Sequence, residues 1–134
     1  MIRLFDWSCV AAVKSIEHSG LVRARQTAEL LEPALSPRKP LAIRPSIRPM
    51  DDPMLLAREL AEGRDDRLFV GHNPHLSRLA GILLGGGQSE VPLVLKKAGF
   101  LALERTRTGS KDSPLGRWAL LWLISPGRLA PDKD

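Results

Sequence analysis

One cysteine, Cys9, is all the sequence contains. That excludes an internal disulfide framework and fits a reducing, cytoplasmic setting. No apolar run approaches the length needed to cross a bilayer. Residues 7–13 form an apolar patch without a credible cleavage site, so neither a membrane partner nor a signal peptide is expected. Aromatic residues make up only 4% of the chain and show no stacking pattern, while the lysines and arginines are scattered. The net charge of +5 therefore favours acidic ligands without pointing to a nucleic-acid partner. Aspartates and glutamates do not cluster as a metal site requires. The only histidines are His18, His72 and His75, and His72 with His75 forms a His-x-x-His pair with no third ligand. No metal site is expected. Repeats, low-complexity tracts and domain linkers are also missing.

What remains is an ordinary globular composition, 43% hydrophobic and 26% charged over 134 residues. One domain spanning 1–134 is the simplest reading, large enough to bury roughly two-thirds of its unfolded surface.

The stretch 68–76 organises the chain. Leu68, Phe69 and Val70 form a short apolar run suited to a parallel strand covered on both faces. Gly71 allows an abrupt turn, Asn73 is a candidate helix N-cap and Pro74 suits the first helical position. Leu76, Leu79, Ala80, Leu83 and Leu84 follow at helical spacing, and Gly85, Gly86 and Gly87 end the helix. His72 is thus placed at the carboxyl end of a strand beside a helix N-terminus, where anionic ligands bind in open α/β sheets. A capped core histidine is the alternative.

A second strand–turn–helix unit precedes it. Residues 13–18 alternate as a strand, and Ser19 and Gly20 turn the chain into a helix that Ser19 caps and Pro33 closes. The first turn of that helix carries Arg23 and Arg25, against the preference of the dipole for acidic residues. Such a local conflict marks a place where an anion compensates, solvated surface arginines being the plain alternative. Residues 32–49 read as a proline-rich connection with at most one short strand, 41–43. Asp51 and Asp52 are candidate caps for a helix over 54–62 that turns Leu55, Leu56 and Leu60 inward and stops at Gly63; a proton-transfer role is the sharper reading of the two aspartates. Residues 91–95 read as a short strand or loop. Strands at 99–104 and 118–124, joined by the polar loop 106–116, form a hairpin that Pro126 ends, and 127–134 is a loose tail. The order predicts a three-layer α/β domain with a mostly parallel sheet and an antiparallel C-terminal hairpin.

Arg23 and His72 then converge at the carboxyl edge of one sheet. Arginine offers a fork of donors that matches phosphate oxygens, and a histidine beside it can stabilise developing charge on the same group. The pair suggests phosphate binding or phosphoryl transfer.

Two motifs sharpen this. His18-Ser19-Gly20-Leu21-Val22-Arg23-Ala24-Arg25-Gln26-Thr27-Ala28-Glu29 resembles the second motif of the histidine phosphatase superfamily, and Val70-Gly71-His72-Asn73-Pro74-His75-Leu76-Ser77 resembles its later histidine motif. Met50-Asp51-Asp52-Pro53 and Leu95-Lys96-Lys97-Ala98-Gly99-Phe100 also fit the small bacterial branch of SixA-type phosphohistidine phosphatases. The resemblance covers residues 13–126. It implies a phosphoglycerate-mutase-like α/β fold and hydrolase chemistry through a covalent phosphohistidine, without metal or organic cofactor. It also implies a phosphorylated small molecule or a phosphohistidine protein as partner. Arg23 would bind the phosphate, His72 would contact the phosphoryl oxygens, and Ser19, at the pocket rim, and Asn73 are further candidates for binding the phosphate. Asp51 or Asp52 would be the proton donor.

The resemblance has a gap. The family carries its nucleophile in an Arg-His-Gly motif at the end of its first strand, and no Arg-His-Gly occurs in this sequence. Residues 1–12 are unmatched; 1–5 could imitate a first strand, but Asp6 and Trp7 stand where Arg and His are wanted. Two readings follow: a truncated or misassigned start, or a pseudoenzyme that binds phosphoryl groups without turning them over. His18 precedes the turn on another strand and is poorly placed to substitute. Without a central first strand, marginal stability or self-association is expected.

Overall fold

The computed structural model describes residues 13–124; the expectations for 1–12 and for 125–134 lie outside the described residues. In chain order the elements are β1 (Ser15–His18), α1 (Val22–Leu35), β2 (Ala42–Ile43), α2 (Pro53–Glu62), β3 (Arg67–Val70), α3 (His75–Leu84), β4 (Phe100–Arg107) and β5 (Arg117–Ile124). β2, β1 and β3 form a parallel sheet in that order, with Ile16 opposite Leu68 and His18 opposite Val70. β4 and β5 pair antiparallel and form a sheet of their own. The expected hairpin is present, but among the described residues it is not hydrogen-bonded to the parallel strands.

The layering follows from the two-residue period of β3. Leu68 and Val70 face one core, built with Val13, Ile16 and Ala28, and α1 covers that side. Phe69 faces the other way into a second core of Ile47, Leu56, Ala57, Leu79 and Leu83, supplied chiefly by α2 and α3. The sheet is therefore sandwiched between α1 and the α2–α3 pair, and α3 continues into contact with β5. Among the described residues no helix is long and apolar enough to cross a membrane.

Three local expectations are corrected. α1 does not stop at Pro33 but runs through it to Leu35. The proline removes one donor only two residues before the end, and Ser36, in a left-handed conformation at φ 44°, closes the helix by donating its N–H to Glu32 O at 2.8 Å. Leu55 is not inward: it is 48% exposed, whereas Pro53, Leu56, Ala57 and Ala61 fill the buried stripe. Those four lie at helical spacing from one another, and Leu55 falls off their face. Gly71, finally, is not needed for a left-handed turn. A Cβ there would stand 3.3 Å from Ile47 O and 3.4 Å from Leu76, so its smallness serves close packing.

One charged network, unforeseen in the sequence, fixes β1 against β3. Arg67 donates Nε and an Nη to the two carboxylate oxygens of Glu17, both at 2.9 Å, and its other Nη pairs with Glu59 at 2.7 Å. Arg44 meets the same Glu59 at 2.6 Å. Burial pushes the Glu59 carboxyl up, but the bonds from Arg67 and Arg44 outweigh it and hold the group below its ordinary value.

Candidate functional site

The site is built where β1 and β3 end side by side. Ser19 donates its N–H to Val70 O at 3.2 Å, so the two chains stay joined one residue past the end of β1. Gly20 then turns at φ +87°, a conformation glycine adopts without a Cβ penalty. Its N–H donates to Nδ1 of His18 at 3.1 Å. α1 starts directly after.

Across the sheet edge, Oγ of Ser19 lies 2.7 Å from Nε2 of His72. Residues 53 positions apart thus meet side chain to side chain, closing the two corners onto each other. The same hydroxyl oxygen accepts the N–H of Leu21 at 3.3 Å. Ser19 is therefore not the N-cap of α1, as expected, since Leu21 occupies that position without a side-chain cap. The Gly20 turn leaves the serine two residues before the cap position, and its hydroxyl faces His72 instead. His72 is half-buried, and burial pushes its imidazole below the ordinary 6.5. The neutral ring can donate through one nitrogen while accepting through the other.

Arg23 is the second residue of α1 and is exposed, as is Arg25. The first turn carries no acidic residue, and no ion pair to Arg23 exists among the described residues. The helix therefore presents a cation, uncompensated, at its positive pole, at the same edge as Ser19 and His72.

Asn73 has another occupation. α3 takes Pro74 as its N-cap, after a cis Asn73–Pro74 peptide, so Asn73 is not the formal cap. Its Oδ1 accepts from the N–H of Ser77 at 3.3 Å and from its hydroxyl at 2.6 Å, while Nδ2 donates to Leu95 O. Leu95 N–H in turn donates to the Ser77 hydroxyl at 3.4 Å. Asn73 clasps the segment after α3 to the His72 corner; it braces the site with the same atoms that were expected to meet phosphate.

Only Asp52 caps α2; Asp51, also expected as a cap, closes the turn that precedes the helix. Asp52 accepts the Met54 N–H at 3.0 Å as the N-cap of α2, and Asp51 accepts the Arg48 N–H at 2.8 Å. Neither carboxylate is hydrogen-bonded to Ser19, Arg23 or His72 among the described residues. His18 is buried, with Nδ1 taken by the Gly20 turn. No three metal-ligating side chains gather among the described residues.

The larger cavity, about 880 Å³, lies between β3 and the hairpin and is lined by Leu68, Phe69, Leu79, Leu101, Leu103 and Trp118. It contains none of Ser19, Arg23 or His72. The sequence had shown each corner separately. It missed the Ser19–His72 contact and the Asn73–Ser77–Leu95 clasp, for which the only signal was the polar run Ser19 and Asn73 themselves make at the two turns.

The described residues thus form a parallel three-stranded sheet between helices with an antiparallel hairpin, and Ser19, Arg23 and His72 come from the carboxyl edge of that sheet. No protein-family model and no curated protein matches the chain. Among solved structures it is similar to the protein histidine phosphatase SixA, described in complex with tungstate. The TM-score is 0.69 at 22% identity, over 88% of this chain and 72% of that one. The two share a fold.

Proposed function

We propose that this chain is a phosphohistidine-phosphatase-like protein that holds phosphoryl groups at the Ser19–Arg23–His72 edge. The observation that carries the reading is the 2.7 Å Ser19–His72 contact, which joins the two corners beside an unpaired arginine. Arg23 supplies charge and a donor fork, and His72 supplies a neutral imidazole that gains a proton favourably once an anion is bound. Ser19 sets the orientation of that ring. The partner class is a phosphohistidine protein or a phosphorylated small molecule, which the SixA-like fold favours.

Among the described residues these form a cradle without a nucleophile. In phosphoryl transfer through histidine, an unhindered imidazole attacks phosphorus and water later hydrolyses the phosphoenzyme. His18 is 4% exposed and engaged at Nδ1, His75 is 1% exposed, and His72 is the oxygen-contacting group. The expected behaviour is binding without turnover. The test is phosphate release from a phosphohistidine peptide and from an aryl phosphate, with His72→Ala as control. No release from folded protein that still binds phosphate supports the cradle; release that disappears in the control gives His72 or a neighbour the nucleophilic role and overturns it.

The same reading expects self-association. β3 has a strand partner on only one edge among the described residues, and Leu120 and Leu121 of β5 are 43% and 44% exposed. Light scattering on a size-exclusion column should show a mass above one chain, and a strictly monomeric, cooperatively melting protein would contradict it.

A further inference from the structure

His75 is the group the proposed function leaves unused, and its surroundings are unusual. It is the first residue of α3, only 1% exposed and among the largest fully buried side chains. Neither Nδ1 nor Nε2 has a hydrogen-bond partner among the described residues. A buried imidazole with both nitrogens unpaired is rare, because an unsatisfied polar atom keeps its full desolvation penalty.

We infer that His75 is a pH-responsive positioning residue, holding the corner from Gly71 to Ser77 in its binding shape only while its ring is neutral. The inference rests on the reading of that corner as an oxyanion site. A proton on His75 would place a buried cation at the positive end of α3, out of reach of solvent. The charged groups that face it are Asp51 and Asp52 from the turn before α2, Arg78 on its own helix and His72 across the corner. The two carboxylates favour the cation and Arg78 and His72 oppose it, but burial dominates and pushes the imidazole below its ordinary 6.5.

The carboxylates also give the protonated ring somewhere to go. Asp51 and Asp52 are already holding the backbone N–H groups of Arg48 and Met54. A charged His75 drawn toward them would compete for carboxylates that already hold those N–H groups and would pull on the first turn of α3. His72 O accepts the Leu76 N–H at 2.9 Å, so displacing the first turn of α3 displaces His72 as well. Acid therefore loosens the site from beneath.

The sign of the pH effect follows. Above about pH 6.5 the unfolded and native rings are both neutral and the fold keeps its full stability. As pH falls below that, the unfolded chain takes up a proton the native state resists, and stability is lost. With three histidines in the sequence, carbon-13 histidine NMR resolves each ring. The His75 resonance of the native protein should move to its protonated position at a lower pH than that of free imidazole. A His75 ring that titrates at or above the ordinary value overturns the inference, whether or not any variant folds.

The second measurement is thermal unfolding at about pH 7.5 and about pH 5.5 for the wild type and His75→Leu. The wild type should lose several degrees in acid and the variant much less; an equal loss in both refutes the role of His75. Sulfate, whose charge is constant over this range, probes the site. Its affinity for the wild type should fall relative to His75→Leu by severalfold at the lower pH, and an unchanged ratio removes the link to the corner. If neither protein binds sulfate at any pH while the unfolding difference remains, the oxyanion reading fails and the acid-sensitive core stands.

Discussion

Replacing Arg23 by alanine should weaken the binding of inorganic phosphate by roughly ten- to a hundredfold, the worth of a charge-assisted hydrogen-bond pair of about 1.5–3 kcal/mol. Arg25→Ala, two residues on, should change it by about twofold or less, the scale of a distant surface charge. The contrast follows from helix geometry. Ala24 is buried against the sheet, so Arg23 and Arg25 leave α1 on opposite sides of it, and only one of them can face the edge that carries Ser19 and His72. Arg23→Lys keeps the charge but not the planar fork and should fall between the two. Calorimetric titration of the three variants decides the matter. Equal losses for Arg23→Ala and Arg25→Ala would mean that the chain attracts phosphate through its net charge of +5 and has no site on this helix.

Leu56→Ala should destabilise the fold by about 3 kcal/mol, lowering the melting temperature by roughly 10 °C. Leu56 is fully buried in the core shared by α2 and α3, where Ala57, Leu79 and Leu83 surround the space it would vacate. The adjacent Leu55→Ala removes the same atoms from a side chain that is 48% exposed and should stay within about 0.5 kcal/mol of the wild type. Two neighbouring leucines thus report which face of α2 the fold buries. If Leu55→Ala proved the costlier change, α2 would be rotated relative to the core, and with it the cap at Asp52.

Much of this architecture was legible in the residues because several local signals agreed. The apolar run Leu68, Phe69, Val70 ended at a glycine and a proline before a helical repeat, and β3 and α3 form where those signals fall. The strand at 13–18 and the helix after Gly20 were marked in the same way. What stayed hidden depends on contacts rather than on pattern. Asn73 had the identity of a cap and of an anion ligand, yet the loop at Leu95 decides what its amide meets. Leu55 and Leu56 are identical to a hydropathy count, and only the position of Ala57 and Ala61 on the buried stripe separates them. The placement of Arg67 between Glu17 and Glu59 needs the parallel register of β1 with β3, which no window of sequence contains. His75 looked like half of a metal pair and is an enclosed core residue.

The separation of the hairpin from the parallel strands has the same origin. β4 and β5 are long and antiparallel, so they pair with each other along one edge through a local connection. Whether they also complete the parallel sheet depends on what lies between β3 and β4, where the apolar cavity is found among the described residues.

The central claim is that two strand–helix corners form one oxyanion site, and nitrogen-15 NMR during a phosphate titration tests it most directly. Saturable shifts should concentrate on the amides of Gly20, Leu21, Val22 and His72, weaken in Arg23→Ala and Ser19→Ala, and leave Glu59 and Arg67 at the far end of the sheet unmoved. Shifts spread evenly over the basic surface, or saturable shifts confined to the Glu59–Arg67 end, would contradict the account.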